Sequence, residues 1–228
     1  MTHLKFDSKF DCLVCLNAEI PPLGFFIKYF PDIPIVGADG GAVRLFEKGI
    51  IADYVVGDLD TFSNARIEKH FKNSEIIFNP DQEINDFEKA LIFVEQKGFR
   101  NILVLGFQGG ELDHTLNNWS ILIKYFKCLN LCLFDKGNYG IPLNESFKIE
   151  TQRNELMSLI PQPKARLKTQ NLRWNLESEV LELGFREGAR NITTGEEVTI
   201  EILEGAVLLF LRARLPYCYR KEKALWTR

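Results

Sequence analysis

Four apolar segments in the first half of the chain are each followed by a stretch that contains aspartate. These stretches are Ala38-Asp39-Gly40-Gly41-Ala42, Gly57-Asp58-Leu59-Asp60-Thr61, Asp81-Gln82-Glu83-Ile84-Asn85-Asp86 and Gly109-Gly110-Glu111-Leu112-Asp113-His114. Carboxylates brought together repel one another unless a positive charge lies between them. Carboxylate oxygens are ligands that suit Mg²⁺, which keeps further positions for water and substrate phosphates. The pattern therefore favours a site for a metal ion and a phosphorylated ligand.

The spacing of the charged residues within these stretches supports this interpretation. Asp58 and Asp60 are two residues apart, so an extended backbone would point both side chains the same way. Asp86 and Lys89 are spaced i and i+3 at the start of a predicted helix, which makes them neighbours. We expect Lys89 to contact phosphate as a point charge.

Paired glycines precede two of the predicted helices. Gly40-Gly41 and Gly109-Gly110 would let the backbone approach a ligand closely and offer amides to phosphate oxygens. The common phosphate-loop and dinucleotide fingerprints are absent from the sequence.

Each acidic stretch also has a simpler interpretation. Asp39 and Asp86 fit helix N-caps, Asp58-Leu59-Asp60 fits a solvated turn, and His114 fits a surface position. These readings do not explain why the same chemistry follows four successive segments.

The segments that must position these residues predict an α/β domain. Continuous apolar runs are typical of parallel strands that are covered on both faces. The predicted strands are Cys12–Ala18, Ile33–Ala38, Tyr54–Val56, Glu75–Phe78, Asn101–Phe107 and Leu131–Phe134. Two helical stripes lie between them, the first formed by Phe87, Ala90, Leu91 and Val94, the second by Leu116, Trp119 and Ile123. This alternation predicts a doubly wound, mostly parallel sheet, in which ligands bind beyond the carboxyl ends of the strands.

The rhythm changes after Asp135, where short strand candidates alternate with turn-forming residues. These candidates are Phe147–Thr151, Leu156–Ile160, Ala165–Thr169, Val180–Leu183, Glu197–Ile202 and Ala206–Arg212. They predict an antiparallel β-sandwich, with the basic tail from Arg212 to Arg228 as a solvated or packed terminal strand. We therefore divide the chain into an α/β domain, 1–135, and a β-sandwich domain, 136–228.

Composition limits the classes of function. The 228 residues carry a formal net charge of -3, which argues against nucleic-acid binding by bulk electrostatics. No apolar run is long enough for a membrane span, and the N-terminus lacks the apolar stretch of a secretory signal. Cys12 and Cys15 form a C-x-x-C, which fits a buried strand better than a redox or metal site. A reducing, cytoplasmic compartment is expected.

In order and spacing, the four acidic stretches resemble the catalytic domain of the thiamine pyrophosphokinase family. The second half resembles the thiamine-binding sandwich of that family, through Leu159-Ile160-Pro161 and Asn171-Leu172-Arg173-Trp174-Asn175-Leu176. Together the two resemblances cover nearly the whole chain.

The resemblance implies transfer of the β,γ-diphosphate of ATP to the hydroxyl of thiamine, giving thiamine diphosphate and AMP with Mg²⁺. It also implies a homodimer whose active sites lie between the α/β domain of one subunit and the sandwich of the other. The implied Mg²⁺ ligands, which are also catalytic together with Lys89, are Asp58, Asp60 and Asp86. The implied contacts to ATP or the transferring group are Asp39, Gly40, Gly41, Gln82, Lys89, Gly109, Gly110, Asp113 and His114. Thiamine would stack on Trp174 and be held by Asn191.

Three departures from the family pattern keep alternatives open. Glu111 stands where the family usually has arginine, Asn85 replaces a common threonine, and Gly188-Ala189-Arg190-Asn191 replaces a serine-rich stretch. The last change leaves open a pyrophosphokinase for another heterocyclic alcohol, such as a hydroxymethylpterin. A metal-dependent phosphohydrolase and a non-catalytic nucleotide sensor are further alternatives. The sequence also leaves open whether Asp86 or Asp113 accepts the alcohol proton.

Overall fold

The computed structural model describes residues 1–223, without the side chain of the last of these. The chain forms two compact units. One consists of Lys9–Asp135, and the other joins Met1–Ser8 to the segment that begins at Lys136. The end of the predicted basic tail, 224–228, lies outside the described residues.

The division after Asp135 coincides with the boundary that we set from the sequence, but the first eight residues belong to the other unit. They form strand β1, Thr2–Ser8, which pairs antiparallel with Cys218–Lys223 and parallel with Phe147–Glu150. Our first domain, 1–135, was therefore wrong at its N-terminus. Hydrogen bonds between segments more than 100 residues apart leave no local signal in the sequence.

The unit Lys9–Asp135 is built on a parallel sheet. Its strands are β2, Cys12–Cys15; β3, Ile35–Ala38; β4, Tyr54–Gly57; β5, Glu75–Phe78; β6, Asn101–Leu105; and β7, Asn130–Asp135. Every pairing is parallel, in the order β7-β6-β2-β3-β4-β5. All residues of β2 and β3 are buried, as expected for strands covered on both faces. These strands lie where the apolar runs predicted them.

The strand order reverses between β2 and β6. The chain moves from β2 outward through β3, β4 and β5, then returns to place β6 on the other side of β2. Such a reversal is the position where open α/β sheets bind ligands, because successive connections then leave on opposite faces.

Helices connect the strands of this unit. They are α1, Leu23–Tyr29; α2, Gly40–Glu47; α3, Asp60–Asn64; a 3₁₀ turn, Glu68–His70; α4, Asp86–Gln96; and α5, Leu112–Tyr125. The predicted stripe of α4 is confirmed, because Phe87, Ala90, Leu91 and Val94 are all buried.

The predicted stripe of α5 is wrong in part. Leu116 is 62% exposed, and the residues that α5 buries are Ile121 and Leu122. The first turns of this helix therefore extend beyond the core of the unit. An i, i+3, i+7 pattern identifies a helical face without showing how far along the helix a neighbour covers it.

The other unit contains only strands among its described residues. Besides β1, these are β8, Asn138–Leu143; β9, Phe147–Glu150; β10, Leu156–Gln170; β11, Glu177–Glu182; β12, Gly188–Ile192; β13, Glu197–Arg212; and β14, Cys218–Lys223. All pairings except β1 with β9 are antiparallel. Two of these strands, β10 and β13, each merge two segments that we predicted as separate strands.

The long strands continue through their turn-forming residues by means of bulges. The register between β10 and β13 shifts between Pro161 and Ala165, opposite Gly205. Gly205 has a φ of 81°, and a Cβ there would lie 2.1 Å from the carbonyl oxygen of Lys164. Glycine and proline thus mark a bulge in a paired strand rather than the end of a strand.

No helix among the described residues is long and apolar enough to cross a membrane.

The fold makes a testable prediction about Gly41. A Cβ at this position would lie 1.9 Å from the carbonyl oxygen of Cys15, so Gly41→Ala must push α2 away from β2. We expect this change to lower the free energy of unfolding by about 3 kcal/mol, as overpacking of a core does. Urea unfolding followed by circular dichroism measures the effect.

Gly24→Ala is the matched control, because a Cβ at Gly24 in α1 meets no atom within 4 Å. It should leave stability unchanged or raise it by up to about 1 kcal/mol. Equal unfolding midpoints for the two variants would contradict the close packing of α2 on β2.

Candidate functional site

A cavity of about 490 Å³ lies at the carboxyl ends of the parallel strands. It is lined by residues that follow β2, β3, β4 and β6 and by the first turns of α4 and α5. The predicted site residues that line it are Asp39, Gly40, Asp58, Asp60, Asp86, Gly110 and His114. The other predicted site residues of this unit do not line the cavity; they are Gly41, Gln82, Lys89, Gly109 and Asp113.

Asp39 directly follows β3, and its side chain contacts the connection that follows β4. Its carboxylate accepts backbone hydrogen bonds from Thr61 (3.2 Å) and Phe62 (3.1 Å), at the start of α3. It is only 2% exposed and makes no side-chain capping bond to α2, at whose N-terminus it stands. Burial raises the pKa of Asp39, and the charge of Asp60 adds to this, against the hydrogen bonds from Thr61 and Phe62. Asp39 therefore fixes the turn that carries Asp60.

The segment Asp58-Leu59-Asp60 is a turn rather than the extended stretch that we expected. Leu59 has a φ of 63°, in the left-handed region, and Asp60 already begins α3. This turn brings the carboxylate oxygens of Asp58 and Asp60 within 4.8 Å of each other and of Asp39. The proximity that we predicted from side-chain alternation thus has a different structural origin.

Lys89 lies between two of the acidic side chains. Its Nζ donates to Asp86 Oδ1 at 3.1 Å and to Asp58 Oδ2 at 3.3 Å, and its side chain is 2% exposed. Burial acts to lower the pKa of Lys89, but the hydrogen bonds and charges of Asp86 and Asp58 outweigh it and raise the pKa. The ammonium is therefore charged and held by carboxylates, instead of facing the cavity as a free phosphate contact.

The two carboxylates that hold Lys89 differ in their surroundings. Burial raises the pKa of Asp86, and the charges of Asp58 and Asp39 add to the effect, although Lys89 opposes it. Burial also acts to raise the pKa of Asp58, but hydrogen bonds from Gln82 and the Asp60 amide, together with Lys89, lower it overall. The Gln82 amide donates to Asp58 Oδ2 at 3.1 Å.

Gly57 permits this crowding of carboxylates. A Cβ at Gly57 would lie 2.8 Å from the Cβ of Asp39 and 2.9 Å from Asp86 Oδ1. Any side chain at Gly57 would therefore push Asp39, which follows β3, away from Asp86, which begins α4.

The donor set fits a divalent metal ion. Asp39, Asp58 and Asp60 present oxygens within 4.8 Å of one another, and hard oxygen ligands suit Mg²⁺. Asp86 lines the same cavity, with one oxygen hydrogen-bonded to Lys89. A second group, Glu111, Asp113 and His114, also lies within 4.8 Å, but all three residues are exposed.

The paired glycines are required by packing within the protein. A Cβ at Gly40 would lie 2.4 Å from the side-chain amide of Asn17, and one at Gly41 would overlap the Cys15 carbonyl. At Gly109, which has a φ of 99°, a Cβ would lie 2.9 Å from the Cβ of Glu19. These contacts bring α2 and the connection after β6 close to the connection after β2, which is where the cavity forms.

Several polar residues of the site were assigned no role from the sequence. Arg44 and Asn17 line the cavity, and Arg44 Nε donates to Asn17 Oδ1 at 3.0 Å. Asn85 caps α4 by accepting from the Glu88 amide at 2.9 Å, and its own amide donates to Asn118 of α5 at 3.2 Å. Arg44 stands four residues after Gly40, one helical turn from the acidic stretch, and this spacing was the available signal.

Asn85, rather than Asp86, is thus the N-cap of α4, and Asp86 is its first helical residue. The helix-cap reading of Asp86 was therefore wrong. Its carboxylate is available to Lys89 and the cavity because its neighbour provides the cap.

Trp174 and Asn191 lie together in the unit that contains β1 and β8 to β14, which we call the antiparallel unit. Trp174 is 58% exposed, and the Arg173 guanidinium carbon lies 5.7 Å from its ring centroid. The Asn191 side chain accepts from the Trp174 amide (3.2 Å) and donates to the Trp174 carbonyl (2.8 Å). Its oxygen also accepts from the amide of Ile192 at 2.9 Å. The structure therefore shows Asn191 holding the backbone of Trp174.

Comparison with known proteins identifies relatives of both units. The family described as "Thiamin pyrophosphokinase, catalytic domain" matches residues 32–133. Thiamine pyrophosphokinase 1 of Oryza sativa subsp. japonica is 27% identical over 205 residues, covering 77% of this chain and 76% of the relative. Thiamine pyrophosphokinase of Bacillus subtilis (strain 168) is 32% identical over 133 residues, covering 55% and 61%.

A solved structure agrees with the fold. The crystal structure of yeast thiamin pyrophosphokinase superposes with a TM-score of 0.75 at 18% identity, covering 90% of this chain and 87% of the other. At this level of identity the likeness concerns the fold alone.

The contacts of Asn191 predict a local change in stability. Asn191→Ala removes the three hydrogen bonds and should loosen the exposed segment at Trp174, because two of them fix the Trp174 backbone on both sides of that residue. Trypsin should then cut after Arg173 about tenfold faster, equivalent to ~1.4 kcal/mol of local stability. Mass spectrometry of timed digests locates the cut.

Asn138→Ala is the matched control, since its amide donates at 3.4 Å to the Lys136 carbonyl in a separate turn. It should leave the cleavage rate after Arg173 unchanged. An Asn191→Ala protein that is cut at the parent's rate would show that the side chain does not hold this segment.

Proposed function

Since this chain belongs to the thiamine pyrophosphokinase family, we propose that it transfers the β,γ-diphosphate of ATP to the hydroxyl of thiamine, giving thiamine diphosphate and AMP. The observation that carries the proposal is the cavity at the strand ends, which Asp39, Asp58, Asp60 and Asp86 line and where the buried Lys89 joins Asp58 to Asp86. The family match spans the residues that form this cluster.

The proposed cofactor is Mg²⁺, held by Asp58, Asp60 and Asp86. The oxygens of Asp58 and Asp60 already lie within 4.8 Å of each other, and Asp86 lines the same cavity. A magnesium ion bound there would neutralise phosphate charge and orient the diphosphate. Asp39 accepts hydrogen bonds from two backbone amides and so fixes the turn that carries Asp60.

The residues of the chain contribute positioning and electrostatics. In the proposed reaction, the thiamine hydroxyl oxygen attacks the β-phosphorus in line, and the bond from that phosphorus to the bridging oxygen of AMP breaks. The hydroxyl proton passes to a carboxylate. Of the two carboxylates that the sequence left open for this role, Asp86 lines the cavity and Asp113 does not.

Lys89 and Gln82 act on the carboxylates in this proposal. Lys89 keeps Asp58 and Asp86 in place by hydrogen bonds at 3.3 and 3.1 Å, and Gln82 orients Asp58. A cluster that is fixed before ATP binds needs little reorganisation during the transfer.

The acceptor site is proposed to lie around Trp174. Its exposed ring offers a face for a flat heterocycle, and Asn191 fixes its backbone. We propose that the antiparallel unit is the thiamine-binding β-sandwich, and that Trp174 of one copy of a homodimer completes the active site of the other. The thiols of Cys12 and Cys15 are free, which fits the proposed cytoplasmic location.

The reaction is tested by identifying the adenine product. The protein incubated with Mg²⁺, ATP and thiamine should release AMP only when thiamine is present. Release of ADP, or release of AMP without any acceptor, would contradict the proposal and favour a phosphohydrolase. AMP formation with a hydroxymethylpterin but not with thiamine would assign the acceptor to the pterins.

Asp58→Asn should lower kcat about 100-fold or more, because it removes a charged oxygen from the metal and phosphate site. Asp32→Asn is the matched control, since Asp32 is exposed and outside the cavity lining. The turnover of the two variants is compared at saturating ATP and thiamine. Full activity of Asp58→Asn would remove Asp58 from the metal site.

Trp174→Ala should raise KM for thiamine about tenfold and leave kcat nearly unchanged. The ring lies outside the reacting centre in this proposal, so its loss removes binding that ground state and transition state share. Phe185→Ala, at a side chain that is 85% exposed, serves as the control and should leave both constants unchanged. An unchanged KM for thiamine in Trp174→Ala would place the acceptor elsewhere.

A further inference from the structure

The cavity is strongly acidic for a site that receives an anion. Asp39, Asp58, Asp60, Asp86 and Glu111 all contribute to its lining. A metal ion compensates the carboxylates that it touches, but a nucleotide triphosphate extends beyond one metal ion and carries several negative charges. A second positive group is therefore needed where the nucleotide leaves the metal site.

Lys89 does not meet this need, because its ammonium is already committed. It donates to Asp58 and Asp86, is 2% exposed and lies outside the cavity lining. Contact with a phosphate would break the ion pairs of a buried ammonium, and would leave two partly buried carboxylates without their counter-charge.

Arg44 is the one lysine or arginine among the described residues that lines this cavity. It also lines a neighbouring cavity of about 250 Å³, together with Ile20, Lys48 and Gly109. The guanidinium therefore stands where the two cavities adjoin. A nucleotide could place its transferring phosphates among the carboxylates and the rest of the molecule in the smaller cavity. It would then pass next to the Arg44 side chain.

The contacts of Arg44 orient its guanidinium group but leave the group accessible to an anion. Nε donates to Asn17 Oδ1 at 3.0 Å, and Asn17 is itself packed against Gly40. Nη1 pairs with Glu47 at 3.2 Å, but both side chains are about half exposed (46% and 52%). An exposed pair of this kind contributes little stability, so a phosphate can replace Glu47 at small cost. The planar fork of arginine suits a phosphate better than the point charge of lysine does.

From these observations, and given the proposed function, we propose that Arg44 binds a phosphate of ATP at the junction of the two cavities. Asn17 is then a positioning residue that orients the guanidinium through Nε. The carboxylates would hold the metal ion that neutralises the transferring group, and Arg44 would hold another phosphate of the nucleotide.

The test compares Arg44→Ala, Arg44→Lys and Glu47→Gln in two measurements. The first is calorimetric titration with a non-hydrolysable ATP analogue and Mg²⁺ in the absence of thiamine. The second is the KM for ATP and the KM for thiamine in the AMP-forming assay. Arg44→Ala should weaken analogue binding and raise KM for ATP by about 10- to 100-fold, as expected for loss of a hydrogen bond between charged groups. The KM for thiamine and the urea midpoint should not change.

The other two variants separate phosphate binding from a structural role. Arg44→Lys should recover part of the affinity, because the charge remains and the fork is lost. Glu47→Gln removes the negative charge that competes with a phosphate for Nη1, and should leave KM for ATP unchanged or lower it. If Glu47→Gln raised KM for ATP as much as Arg44→Ala does, Arg44 would act by bracing α2, and the proposal would be wrong.

The two measurements also separate this proposal from the proposed function. Analogue binding that is equal in Arg44→Ala and the parent would overturn the role of Arg44 alone. A parent that binds the analogue through Arg44 but forms no AMP with thiamine would overturn the function and keep the phosphate site. A parent that does not bind the analogue would overturn both.

Discussion

The arrangement of the site depends on one buried cation between acidic groups. Lys89 donates to Asp58 and Asp86 and is almost inaccessible to solvent. Without it, carboxylates from two different connections would repel each other at the edge of the sheet. The ion pair raises the pKa of Lys89, so the ammonium stays charged and neutralises part of the charge of the two carboxylates. Gly57 is part of the same constraint, because a side chain there would overlap Asp39 and Asp86.

Backbone strain at the site is offset by hydrogen bonds. Asp39 and Leu59 both have positive φ values, 39° and 63°, which side chains other than glycine rarely adopt. Such conformations cost on the order of 1–3 kcal/mol each, and persist where surrounding contacts over-determine them. Here the buried carboxylate of Asp39 accepts the amides of Thr61 and Phe62, which locks the turn after β4. The residue that looked like a helix cap is thus the support for the turn that carries Asp60.

The two units use different physical means to present functional side chains. The parallel unit gathers them at the ends of strands, where connections converge because the strands run the same way. The antiparallel unit presents Trp174 on a turn, which Asn191 holds by hydrogen bonds to the backbone on both sides of the residue. The proposed function needs both devices, one for the diphosphate donor and one for the acceptor.

The sequence by itself determined the strands of the parallel unit, the buried stripe of α4 and the clustering of aspartates at the strand ends, because apolar periodicity and strand polarity are local properties. Only the tertiary structure decided the strand order, the exposure of Leu116, the pairing of β1 outside the parallel unit and the position of Arg44 in the cavity lining. These features depend on pairing and packing between segments far apart in the chain. The ion pair between Lys89 and Asp58 is a feature of the same kind. Asp58 comes from another strand end, so the sequence around Lys89 does not show that its ammonium is already paired.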